Sequence, residues 1–144
     1  MKTLFDTSVI VAGLVESHPM HGRSFHWLRQ AKNEKLELFI AAHTIAESYA
    51  VLSTLPIKPK ILPHVARKLL RDNLESIGKI ISLTPAEYQG TIDKLSEMGL
   101  SGGITYDALI ARVAQKAQIE RLVTINVEDF KRVWPEGEEV IVAP

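Results

Sequence analysis

Four carboxylates stand out by their setting. Asp6 directly follows a β-leaning run in Leu4-Phe5-Asp6-Thr7-Ser8, and Glu47 lies in an apolar stretch between Ile45, Ala46, Tyr49 and Ala50. Asp107 falls in Gly103-Ile104-Thr105-Tyr106-Asp107-Ala108-Leu109-Ile110-Ala111, and Asp129 in Thr124-Ile125-Asn126-Val127-Glu128-Asp129-Phe130. A lone charge in apolar surroundings is costly, and carboxylates drawn together repel one another. A hard divalent cation, Mg²⁺ or Mn²⁺, relieves both costs at once. Each acid also has a plainer use. Asp6 is a favoured N-cap residue, and Asp107 in a first helical turn suits the helix dipole. Asp129 competes with Glu128 for the start of a short helical segment. Glu47 is the hardest to explain away, since its own helix offers it no cation.

The elements that must position these acids follow from periodicity. Strands are expected at Thr3–Phe5, Leu36–Ile40, Lys79–Leu83 and Arg121–Ile125, with a fifth at an edge over Glu139–Val142. Helices are expected at 8–15, 20–31 (with Phe25, Leu28 and Ala31 on one face) and 43–55 (with Ile45, Ser48, Tyr49 and Leu52 clustered). One long amphipathic helix is expected over Ile61–Leu74. Thr84-Pro85-Ala86-Glu87 is a strong start for the next, combining an N-cap Thr, Pro at the first helical position and Glu at the capping-box position; a further helix is expected over Thr105–Gln118. Short apolar strands alternating with amphipathic helices predict an α/β fold: a three-layer α/β/α sandwich around a mostly parallel sheet of four to five strands. In such folds ligands bind beyond the carboxyl ends of the strands, where Asp6 and the segment after the fourth strand fall.

At 144 residues, without repeats or a linker-like stretch, the chain is expected to be a single domain over 1–144. Seventeen Lys plus Arg balance seventeen Asp plus Glu, which argues against coating nucleic acid by bulk charge. The chain has no cysteine, so disulfide scaffolds, thiol nucleophiles and cysteine zinc sites are excluded. No apolar run reaches the roughly 18 residues of a membrane helix, and no signal-peptide pattern precedes Glu16; a cytoplasmic location is expected, with no membrane partner. His18, His21 and His26 match no zinc-ligand spacing, and His26 does not share a helix face with His18. The stretch Lys58–Lys79 holds Lys58, Lys60, Arg67, Lys68, Arg71 and Lys79 against Asp72 and Glu75. It reads either as a solvated helix face or as a contact for RNA phosphates. Gly102-Gly103 belongs to no phosphate-binding glycine motif.

Taken in order, the blocks around Asp6-Thr7-Ser8, Glu47, Gly102–Ala111 and Thr124–Phe130 resemble the PIN-domain family, and most closely its VapC-type toxin ribonucleases, over nearly the whole chain. The resemblance implies a Mg²⁺- or Mn²⁺-dependent endoribonuclease with Asp6, Glu47 and Asp107 as the three principal acids. At the more variable fourth position, the place that often holds Asp is occupied by Asn126, and Asp129, the nearest carboxylate, is expected to join the metal-binding and catalytic acids. Thr7, Ser8 and Thr124 are implied as hydrogen-bonding partners of the acids, with Asn126 a ligand or a residue that orients water. The resemblance further implies an RNA substrate, a cognate antitoxin that inserts a basic segment into the acidic groove, and a homodimer. Two alternatives stand beside it: a PIN-like nuclease in RNA processing outside toxin–antitoxin systems, and a catalytically inactive PIN-like binding module.

Overall fold

β1 (Lys2–Phe5) is the central strand of a five-stranded sheet with order β3-β2-β1-β4-β5. β2 (Glu37–Ala41) and β4 (Arg121–Val123) flank it, β3 (Lys79–Ile81) and β5 (Ile141–Val142) form the edges, and every pairing is parallel. The computed structural model describes all residues, Met1–Pro144. From β1 the chain builds outward through β2 to β3, then crosses back to β4 on the other side. The order therefore reverses between β1 and β4, and a crevice opens at their carboxyl ends.

Side-chain alternation along each strand feeds two cores. Leu4, Phe39, Ala41 and Leu122 face one way, against α5 (Pro85–Glu97), α6 (Ile104–Lys116) and α7 (Val127–Val133). Phe5, Leu38, Ile40 and Val123 face the other, against α1 (Thr7–Leu14), α2 (His21–Lys32), α3 (Ala42–Leu52) and α4 (Pro63–Leu70). These are the three expected layers. Close approach of α1 and α2 needs Gly13, because a Cβ there would collide with the Leu28 side chain.

Three local expectations are corrected. The helix expected to run unbroken over 61–74 is α4 followed by a π turn at Arg71–Glu75. Ala66, Leu70 and Leu74 keep their four-residue spacing on the buried side through the widened turn, so the sequence pattern looks continuous. On α2, Leu28 and Ala31 are buried as expected, but Ser24 completes that face, while Phe25 is 43% exposed and stacks on His21. On α3, Thr44, Ser48 and Leu52 form the buried face, leaving Tyr49 exposed. Small hydroxyl residues at 44 and 48 let α3 sit close to α1. The start of α5 is as read: Glu87 N–H donates to Thr84 Oγ1 at 3.2 Å, and Thr84 N–H donates to Glu87 Oε1 at 2.9 Å.

Candidate functional site

Asp6 leaves the carboxyl end of β1 and caps α1, the plainer of its two expected uses. Its Oδ1 accepts the Ser8 hydroxyl at 2.6 Å and the Val9 N–H at 3.2 Å, and its Oδ2 accepts the Thr124 hydroxyl at 2.8 Å. The two hydroxyls are themselves held from the β4–α7 loop: Ile125 N–H donates to Ser8 Oγ at 3.1 Å, and Asn126 N–H donates to Thr124 Oγ1 at 2.9 Å. A backbone-anchored network thus fixes one carboxylate at the β1–β4 crevice. Asp6 is only 2% exposed. Burial pushes its carboxyl up to about 6; the Ser8, Thr124 and Val9 hydrogen bonds oppose the rise, and the Glu47 charge adds to it.

Glu47 projects from α3, which packs on α1. Burial raises its carboxyl. The neighbouring Thr7 hydroxyl opposes that rise without a hydrogen bond of normal geometry, so Thr7 Oγ1 and Glu47 Oε2 are both buried and without a partner. Asp107 sits in the first turn of α6, which follows Gly102 in a positive-φ conformation (φ 82°) that favours glycine. Burial pushes Asp107 up to about 7, reinforced by the charges of Asp6, Asp129 and Glu47.

Asp6, Glu47 and Asp107 line one cleft of about 320 Å³, with Thr7, Ser8, His18 and Asn126, and no Lys or Arg enters it. The three acids face one another across the cleft, and no three His, Asp or Glu side chains close to chelating distance. Asp129 stands apart from the wall, in the first turn of α7. Its side chain is 49% exposed, its nearest cation is Arg132 at 4.0 Å, and it acts on Asp107 through charge. Asn126, which follows β4 and precedes α7, lies on the cleft wall in place of the expected fourth acid, Asp129. His18 is the cleft residue that sequence reasoning did not assign; only its position in the α1–α2 turn could have signalled it. The three histidines of that region have separate partners: His18 takes the Met20 amide, His21 pairs with the Ala12 carbonyl and His26 with Gln30.

The basic stretch is partly neutralised. Arg67 forms a bidentate pair with Glu75, and Lys79 meets Glu37 at 2.5 Å. Lys58, Lys60, Lys68 and Arg71 make no salt bridge.

An all-parallel sheet with a buried Asp6 and the half-buried Glu47 and Asp107 at its switch point defines a class of protein, and the PIN-domain profile matches residues 3–134. The chain belongs to the PIN-domain family. Among its relatives is Ribonuclease VapC40 of Mycobacterium tuberculosis, 34% identical over 138 residues, or 94% of this chain and 96% of that protein. The fold also matches two solved structures. VapBC2 from Rickettsia felis, bound to a DNA fragment from its promoter, has a TM-score of 0.67 at 22% identity, covering 100% of this chain and 99% of that one. The sarcin-ricin-loop-cleaving toxin VapC20 of Mycobacterium tuberculosis has a TM-score of 0.66 at 15% identity, covering 83% and 86%.

The donor set can be tested against a divalent cation. Every acid of the cleft is a hard oxygen ligand. Glu47 Oε2 is buried with no partner, ionisation of Asp6 is opposed by burial and the Glu47 charge, and that of Asp107 by burial and the charges of Asp6, Asp129 and Glu47. These residues fit Mg²⁺ or Mn²⁺, which supplies the positive charge the protein itself does not bring.

Proposed function

We propose that this protein is an endoribonuclease that works with Mg²⁺ or Mn²⁺ and serves as the toxin of a toxin–antitoxin pair. The observation that carries the reading is the cleft at the β1–β4 switch point, whose wall Asp6, Glu47 and Asp107 share with no Lys or Arg to neutralise them. Similarity to Ribonuclease VapC40 over nearly the full length supports the RNA substrate, and the fold likeness to VapBC2 supports an antitoxin partner.

Asp6, Glu47 and Asp107 are the proposed ligands. When bound, the cation offsets phosphate charge and lowers the pKa of water to a useful nucleophile. Asp6 is the fixed member, because three hydrogen bonds orient both of its oxygens. Thr124 and Ser8 hold it in place, and Thr7 stands beside Glu47. The Asn126 amide is the proposed polar contact at the fourth position, and Asp129 assists by charge from outside the wall. Lys58, Lys60, Lys68 and Arg71 are proposed to meet flanking RNA phosphates. A cognate antitoxin bearing a basic segment suits a cleft of three acids, a homodimer completes the proposed assembly, and the cytoplasm is the proposed compartment.

The test is cleavage of total cellular RNA by the purified protein. Cleavage stops in excess EDTA and returns with Mg²⁺ or Mn²⁺, while Ca²⁺, with its longer and looser coordination, restores little. Cleavage that persists in chelator contradicts the reading.

A further inference from the structure

Resting on the nuclease reading, we infer that His18 is the side chain that grips the RNA phosphate in the acidic cleft, as a fixed hydrogen-bond donor through Nε2. A phosphodiester is an anion entering a space walled by Asp6, Glu47 and Asp107, and no Lys or Arg lines that wall to receive it. The hydroxyls there are committed or inaccessible. Ser8 and Thr124 donate to Asp6, and the Thr7 hydroxyl is fully buried. The remaining side-chain donors on the wall are His18 and the Asn126 amide.

His18 is set for this task by its own turn. Its N–H donates to the Val15 carbonyl at 3.0 Å, its carbonyl accepts the His21 N–H at 2.9 Å, and Pro19 restricts the backbone between. The Met20 N–H donates to His18 Nδ1 at 3.0 Å. An imidazole that accepts at Nδ1 carries its proton on Nε2. Nε2 has no partner within the protein, while the ring lines the cleft. The tautomer is therefore chosen by the backbone, and the free donor is oriented before substrate arrives. Such preorganisation raises the value of a hydrogen bond to a charged group.

Two isosteric changes separate this role from loop support. Asn places its oxygen where Nδ1 was and keeps the Met20 contact, but has no donor at the far end. Gln places its amide nitrogen near the Nε2 position. The experiment measures Mn²⁺ binding by calorimetry, then kcat and KM on an RNA oligonucleotide spanning a site the wild type cuts in total RNA. For His18→Asn and His18→Ala we expect Mn²⁺ affinity within about twofold of wild type and kcat/KM lower by roughly ten- to a hundredfold. His18→Gln should recover most of that loss. Full activity in His18→Ala overturns the inference. So does activity in His18→Asn with none in His18→Gln, which assigns the ring to the loop, and so does a parallel loss of Mn²⁺ binding, which assigns it to the acids. A wild type that binds Mn²⁺ and cuts no RNA contradicts the nuclease reading itself, a result distinct from each of these.

Discussion

Glu87 and Asp107 occupy comparable places, each in the first turn of a helix on the same face of the sheet, and their surroundings drive them apart. Glu87 accepts from Lys116 at 2.7 Å, pairs with Arg112 at 3.1 Å and closes the Thr84 capping box. The Lys116 hydrogen bond, above all, draws its carboxyl down to about 2. Asp107 meets no cation and is pushed up to about 7. Arg112 and Lys116 both belong to α6, the helix that carries Asp107, yet they are directed to Glu87. A first-turn acid that only stabilises its helix looks like Glu87. One left unpaired beside two other acids is held at a cost in stability, as functional carboxylates often are.

The comparison can be broken most directly through activity. Asp6→Asn or Asp107→Asn should lower RNA cleavage by on the order of 100-fold or more, since losing a ligand exceeds the cost of losing its supports. Glu87→Gln, assayed alongside, should cut RNA at the wild-type rate while melting at a lower temperature. Equal activity losses in Glu87→Gln and Asp107→Asn erase the distinction.

Thr124→Val has the next largest effect. It removes the 2.8 Å bond to Asp6 Oδ2 and the acceptor of the Asn126 N–H. Loss of buried partners of this kind costs about 1–3 kcal/mol, and an outer-shell change of this kind lowers Mn²⁺ affinity about 10- to 100-fold. Denaturant melts and calorimetry measure the two separately.

In pH the two kinds of acid act with opposite sign. The carboxyls of Asp6 and Asp107 sit above their ordinary value of 3.8, so the folded metal-free protein holds protons more tightly than the unfolded chain. Their contribution to stability is greatest at low pH, declines as pH rises from near 4 through 6 and 7, and is level beyond. Glu87 sits below its ordinary 4.5, so its contribution is full above that value and is lost as pH falls toward 2. Their contribution to the melting temperature in EDTA should therefore decline between pH 5 and pH 7.5, against the opposite slope of His43, whose pKa burial lowers. Asp107→Asn should flatten that decline, and salt should weaken only the share of it due to charge repulsion at Asp107, leaving the share due to burial. Asp129→Asn is the smallest change, a few-fold at most in cleavage, because its half-exposed carboxyl acts on Asp107 only through a screened field.

Local rules made part of this legible in the sequence. Asp6 after an apolar run, and Thr84 with Glu87 three residues on, are readable because caps are settled within four residues. The strands were legible because each is a short apolar run. What escaped depends on distant partners. Thr124 reaches Asp6 across 118 residues, and Arg112 and Lys116 reach Glu87 from the far end of another helix, so the sequence does not reveal which first-turn acid is paired. Asp129 and Asn126 lie three residues apart, and only the orientation of α7 leaves the amide on the wall and the acid outside. Helical spacing puts Phe25 and Tyr49 on the inward faces, whereas close helix contacts place Ser24 and Thr44 there, with Ser48 buried as its spacing implies.

On the proposed function, Asp107 is unpaired because it serves a cation with Asp6 and Glu47. Thermal melts of wild type and Asp107→Asn, each with and without Mn²⁺, test it directly. The account predicts that the metal-free variant melts at or above the wild-type temperature, because a repelling charge is gone, and that the upward shift produced by Mn²⁺ in the wild type is largely lost. A variant that melts lower without metal and is still raised by Mn²⁺ as far as the wild type would contradict it, leaving Asp107 as an acid that serves only the helix dipole.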